Sequence, residues 1–340
     1  MLPLKFLDAY KKEDFGFYFG RETETDTLYE KVKRNTITLF YGLSGTGKTS
    51  LILCGLSNKF DDADWMAFVI RRGNKSNIID VIKKTLYSKT DEIFNDESVD
   101  LSIILDKIYY NHYRPIYLIF DQLEELFIYG TKTEKFEFIS FIIEVQKNNH
   151  YVKVILVLRE EYFVHIDDFE SKIPAIFQSR LRLEPMKTEK VIDTIKKMGL
   201  AIKVNISDAL AEEIINHITS KNKNDICSDN AGSILKKEIE LPYLQVYFKE
   251  MFEKKLQIKL SDCPADKLID LTKEDLPELG AINDVLTDFL DNAVKNINQH
   301  IKNEDKQLDE QLVWQVLNTL VSYEGTKQEK SLEEIITLLS

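Results

Sequence analysis

The run Gly42-Leu43-Ser44-Gly45-Thr46-Gly47-Lys48-Thr49 has the residue types and spacing that grip a chain of phosphates. Its glycines let the backbone fold inward so that several N–H groups point at one place. A helix starting there adds its positive dipole end. Lys48 would reach the β- and γ-phosphates, and the Thr49 hydroxyl would meet Mg²⁺. The candidate phosphate-binding set is Gly42, Ser44, Gly45, Thr46, Gly47, Lys48, Thr49 and Ser50. The match is specific because a β-type segment precedes it and an amphipathic helical pattern follows, which is the context the motif needs.

A second constellation is Leu118-Ile119-Phe120-Asp121-Gln122-Leu123-Glu124-Glu125. An aspartate ending a buried strand lies where open parallel sheets bind ligands, so Asp121 is the expected second Mg²⁺ contact. The next position holds Gln122, which cannot act as a base. Glu124 is the favoured residue to activate water. The alternative is that Glu124 and Glu125 are helix N-terminal acids that stabilise the dipole. Arg159 ends a later apolar strand and is expected to face the terminal phosphate, where it would sense or stabilise charge. The competing reading pairs it with Glu160 or Glu161. Asn222-Lys223-Asn224-Asp225 has the letters of a guanine-specificity motif, but it follows a helix in a polar loop and is rejected. Phe15, Phe17, Tyr18 and Phe19 read as a hydrophobic lead-in with one side near the ligand.

Positioning these groups requires alternating elements. Strands are expected over 36–41, 65–70, 115–120, 152–158 and 181–183, with helical patterns between them such as 134–146. The third is nearly all apolar, as in a strand covered on both faces. Alternation of strand and helix predicts an α/β fold, a three-layer parallel sheet of about five strands. Beyond Glu184 the strand signal fades. Helical periodicity takes over at 188–198, 207–220 and 241–255, then at 283–296 and 308–321. Ser331-Leu332-Glu333-Glu334 reads as a capping box.

Bulk properties narrow the function classes. No apolar run of the 340 residues approaches the ~20 needed to cross a bilayer, and no secretory signal is visible, so a cytoplasmic location and no membrane partner are expected. Cys54, Cys227 and Cys263 lack metal-ligand spacing and read as free thiols. The net charge of −12 argues against nucleic acid as a partner. Pairs such as Lys83-Lys84 and Lys236-Lys237 read as solvated faces.

Together, Phe17-Tyr18-Phe19-Gly20-Arg21-Glu22, the glycine-rich run and Asp121-Gln122-Leu123-Glu124-Glu125-Leu126-Phe127 resemble the STAND ATPases, the signal-transduction ATPases with numerous domains, and among them a bacterial novel STAND group. Leu241-Pro242-Tyr243-Leu244-Gln245 is similar to that family's lid proline motif. The stretch from Leu271-Thr272-Lys273-Glu274 to Leu279-Gly280-Ala281-Ile282 is similar to its approach to a winged helix. The resemblance implies a P-loop domain over 1–184, a helical lid over 185–262 and a winged-helix-type domain over 263–340 that stops short. It implies ATP or ADP with Mg²⁺, Arg21 near the adenine and Pro242 packing on the nucleotide, with Arg182 a further candidate. Adenine preference comes from the resemblance alone.

The same resemblance implies a slow regulatory ATPase, closed as a monomer with ADP and self-associating with ATP. It also implies a role in bacterial anti-phage defence or stress signalling. Sensor repeats and an effector module are absent from the sequence, and a fragment of a longer chain is expected. Two other readings remain open: a motor or loader ATPase of the AAA+ kind acting on DNA or protein, and a non-hydrolysing scaffold stabilised by nucleotide.

Overall fold

Strand β3 (Ile116–Phe120) is buried at all five positions, so both of its faces must be covered. The computed structural model describes residues 5, 8–73, 76–88, 100–219, 239, 241–255, 269–272, 274, 287, 290–297, 310–321, 330 and 332–339. With β1 (Ile37–Gly42), β2 (Met66–Ile70), β4 (Val152–Arg159) and β5 (Arg180–Arg182), β3 forms a five-stranded sheet in the order β2-β3-β4-β1-β5. Every pairing in it is parallel. The expected sheet is therefore present, with strand bounds within one or two residues of those expected.

Two-residue periodicity divides the sheet's side chains between two cores. Leu39, Leu118 and Leu156 point into one, with Ile82 of α3 (Ile78–Tyr87), Leu105 of α4 (Leu101–His112) and Ile142 of α6 (Lys132–Asn148). Phe40, Ile119 and Val157 point into the other, with Leu28 and Val32 of α1 (Glu22–Arg34) and Leu51 and Ile52 after the glycine-rich loop. The result is three layers. Asn77, Asp100 and Thr131 cap α3, α4 and α6 with side-chain oxygens, each satisfying a backbone donor that the helix leaves open.

The strand order positions the chemistry. Because β4 lies between β1 and β3, Gly42 pairs in register with Arg159 and Phe120 with Leu156. The C-terminal ends of β1, β4, β3 and β2 thus lie along one edge, where a crevice forms in sheets of this kind.

A third core sits beyond the sheet. Past the short helix α7 (Asp167–Glu170), it joins α8 (Thr188–Ala201), α9 (Asp208–Thr219) and α10 (Leu241–Lys255) through Ile195, Ile214, Tyr247 and Phe248. Beyond Glu184, where the strand signal fades and a helical unit is expected, two short strands also occur. β6 (Val204–Ile206) pairs in parallel with β7 (Ile269–Leu271), and Leu271 belongs to the third core. Both strands have three residues, too short for a periodic signal. Residues 269–271 fall within the expected 263–340 unit yet are anchored to the preceding one. Further helices span Glu310–Thr319 and Leu332–Leu339 and pack together. The guanine-like Asn222–Asp225, Lys236-Lys237, Cys227, Cys263, Ser331 and residues 275–282 lie outside the described residues. Among the described residues, no helix is long and apolar enough to cross a membrane.

Candidate functional site

The loop after β1 turns through Gly45 at φ 74° and Gly47 at φ 91°, backbone that favours glycine. Gly42 is required for a different reason: a Cβ there would lie 2.4 Å from the Leu183 carbonyl oxygen. Helix α2 (Lys48–Ser50) follows and continues through a π turn at Leu51–Gly55. Lys48 Nζ donates to the carbonyls of Gly42 and Leu43 at 2.7 and 2.8 Å, so the ammonium lies back across its own loop. Burial lowers the pKa of Lys48, while the nearby Glu124 acts in the opposite direction.

Asp121 follows β3 directly. Its carboxylate accepts the Thr49 hydroxyl at 3.2 and 3.1 Å, which brings together the two residues expected to hold Mg²⁺. Hard oxygen donors of this kind fit that ion. The chain then turns at Gln122, whose φ of 60° is uncommon for a non-glycine residue. Leu123 N–H rejoins the sheet at the Val157 carbonyl, 2.8 Å away. This turn delivers Glu124 as the first residue of α5 (Glu124–Tyr129), with 5% exposure. The Arg159 side chain meets Glu124 at 3.1 Å, and the Arg159 N–H donates to it at 3.2 Å. The expected alternative partners of Arg159, Glu160 and Glu161, do not appear in that pair. Glu160 binds Arg182 instead.

These residues line a cavity of about 630 Å³, within the usual range for small-molecule sites. One wall holds Ser44 to Ser50, Asp121, Glu124 and Arg159. Another wall is apolar and comes from Phe19, Met186, Leu241, Pro242 and Leu244. Two of the three cores therefore meet across it. Arg21 is 3% exposed. It donates to the Thr46 carbonyl at 3.1 Å and to Glu24 at 2.9 Å. Its Nε has no hydrogen-bond partner among the described residues, a costly condition for a buried donor and a natural contact for a polar ligand. The lead-in aromatics divide: Phe17, Tyr18 and Phe19 line the cavity, whereas Phe15 is half exposed.

The structure thus brings the sequence candidates together except at two places. Gly42 is not in the lining; it serves through its carbonyl and its close packing. Arg182 is held away from the cavity by Glu160 and Glu184. Sequence reasoning missed Arg71, which follows β2 and binds Asp121 from Nε and Nη2 at 2.9 and 2.6 Å. It also missed Tyr10, whose N–H donates to Ser50 Oγ at 3.2 Å. Nothing local in the sequence marks either one, because their partners lie 50 and 40 residues away.

Among solved structures, the chain is similar to a Walker-type ATPase of Pyrococcus abyssi, with TM-score 0.52, 15% identity and coverage of 98% of this chain and 91% of that one. It is also similar to the ORC2 protein of Aeropyrum pernix, solved in ADPNP–ADP complexes, with TM-score 0.52, 12% identity and coverage of 94% and 84%. A third likeness is to the ORC1 protein of Aeropyrum pernix in complex with DNA, with TM-score 0.50, 11% identity and coverage of 94% and 76%. At these identities the likeness establishes the fold. No curated protein matches the sequence. The family model described as Novel STAND NTPase 1 matches residues 3–337, nearly the whole chain, and the chain belongs to that family.

Proposed function

We propose that this protein is a cytoplasmic ATP/ADP switch that hydrolyses ATP slowly with Mg²⁺ and self-associates in its ATP form. In this reading the nucleotide lies between the sheet domain and the helical lid, with its phosphates on Ser44 to Ser50 and its base toward Arg21 and Pro242. Thr49 and Asp121 hold Mg²⁺, which neutralises phosphate charge when bound. Glu124 accepts a proton from the attacking water as the bond to the γ-phosphate breaks, and phosphate and ADP are the products. Arg159 stabilises the charge that develops on the transferred group. The winged-helix assignment of 263–340 and a role in anti-phage defence or stress signalling belong to the same proposal, on the strength of the family.

The observation that carries the reading is the pair of Glu124 and Arg159. The proposed base is buried beside the phosphate loop, and its carboxylate is engaged by a cation and a backbone N–H. An engaged base supports slow turnover. The test combines three measurements: identity of the nucleotide released on denaturation, single-turnover hydrolysis, and light scattering with ADP or ATP. Co-purified ADP on a monomer, slow hydrolysis abolished by Glu124→Gln, and larger particles with ATP are expected. Fast steady turnover by the monomer would overturn the switch.

The fold likeness to an ORC1 protein solved with DNA motivates a second reading, an ATPase that acts on DNA. The net charge of −12 weighs against it. Duplex affinity that falls steeply with added salt would replace the switch by this reading.

A further inference from the structure

The carboxylate assigned to Mg²⁺ in the proposed function already faces a cation of the protein itself, and the inference below rests on that assignment. Arg71 donates two hydrogen bonds to Asp121 Oδ2, at 2.9 and 2.6 Å. The same carboxylate accepts the Thr49 hydroxyl.

The arginine is fixed at its base, while its side chain reaches Asp121 from a half-exposed position. The preceding Ile70 is 1% exposed, and its carbonyl accepts the Asp121 N–H at 3.0 Å. The following Arg72 binds Glu134 through Nε at 2.7 Å and Nη2 at 3.0 Å. Gly73 N–H donates to Glu125 at 2.7 Å. Arg71 itself is 47% exposed. Its side-chain torsions can carry the guanidinium off Asp121 while the backbone stays in place.

A dication and a guanidinium compete for one carboxylate oxygen. Their charges repel at short range, and Mg²⁺ requires a near-octahedral oxygen shell. We propose that Arg71 is a tethered counter-ion that occupies Asp121 in exchange with the divalent metal. Metal loading at Oδ2 then displaces Arg71. Without metal, Arg71 cancels the Asp121 charge that would otherwise repel the nucleotide phosphates. Arg71 is therefore a positioning residue that sets how strongly nucleotide binding depends on metal.

The test titrates the full chain with N-methylanthraniloyl-ADP, once in EDTA and once in millimolar Mg²⁺. The readout is the ratio of the two dissociation constants. Arg71→Ala and the similar-length Arg71→Gln should both raise that ratio by about tenfold, the scale of one charge-assisted hydrogen bond in a half-exposed setting. Arg71→Lys should restore most of the wild-type ratio. In parallel, electron paramagnetic resonance of free Mn²⁺ in the presence of ADP should register tighter metal uptake by Arg71→Ala. An unchanged ratio in a folded Arg71→Gln protein, with both affinities reduced alike, would overturn the exchange and make Arg71 a phosphate contact or a scaffold residue. Failure of the wild type to bind the probe in either buffer would overturn the proposed function as well.

Discussion

Lys48 bonds to two carbonyls of its own loop, and in the proposed arrangement a nucleotide phosphate replaces those contacts. An ammonium–phosphate hydrogen bond exceeds a bond to a neutral carbonyl, and this difference is what Lys48 contributes to affinity. Lys48→Ala should weaken nucleotide binding by about 1.5–3 kcal/mol. Equal affinities in calorimetric titration would remove Lys48 from the phosphate site. Arg159 makes a different prediction because it is paired with the proposed base. Arg159→Ala frees the Glu124 carboxylate but removes positive charge from the developing transition state. If charge stabilisation dominates, single-turnover hydrolysis falls about a hundredfold with little change in ADP affinity. A faster rate would mean that Arg159 acts chiefly as a restraint on Glu124. The phosphate-loop residues and Asp121 were legible in the sequence because each has a fixed spacing from a strand end. The Glu124–Arg159 and Asp121–Arg71 pairs were not, since each joins residues at or just past the ends of different strands, whose neighbour relations depend on sheet order.

At the scale of elements, the edge of the sheet is held by a buried ion pair. Arg72 is 7% exposed and Glu134 is 3% exposed, and Glu134 also accepts the Ile78 N–H at 2.7 Å. The pair ties the end of β2 to the starts of α3 and α6. Burial pushes the Glu134 pKa up, but its bonds to Arg72, Ile78 and Thr131 outweigh that and hold it below the usual glutamate value. A depressed folded-state pKa contributes stability that is present above the unfolded pKa, about 4.3, and lost as pH falls through the folded value. Denaturant unfolding should therefore lose part of its free energy below about pH 4.3. Glu134→Gln should flatten that slope, though not abolish it, because Asp14 and Glu24 are also lowered. At neutral pH the variant leaves Arg72 buried without its charged partner, at a cost of about 3–5 kcal/mol. A variant as stable as the wild type at pH 7 would contradict the burial of the pair. The five main strands, α6 and the helices α8 to α10 were readable from periodicity and from the apolar runs. The β6–β7 pair was not, because three-residue strands separated by 65 residues derive from tertiary pairing rather than local preference.

On the scale of the whole molecule, two cores meet at one cavity. The sheet side brings the glycine-rich loop proposed to bind phosphate, and the third core's side brings Leu241, Pro242 and Leu244 on α10 and Met186 before α8. The N-terminal segment adds a strap across both: Lys5 N–H donates to Gln245 of α10 at 3.0 Å, and Tyr10 N–H donates to Ser50 at 3.2 Å. A ligand that touches both walls couples their opening, because it binds the assembled cavity and not the separated halves. At a free concentration of about a hundred times Kd, such a ligand adds about 2.7 kcal/mol to the stability of the assembled form. Amide exchange then distinguishes a shared site from a purely phosphate-loop site. With ADP, protection should rise in the loop at 44–50 and also in α8 and α10, which contact no phosphate group in the proposed arrangement. Pro242→Gly should reduce the protection of α10 more than that of the loop, since it removes the apolar contact and leaves the phosphate cradle intact. Protection confined to 44–50, with α8 and α10 exchanging as they do without ADP, would mean that the lid does not register the nucleotide and that the switch lacks the element it needs to move.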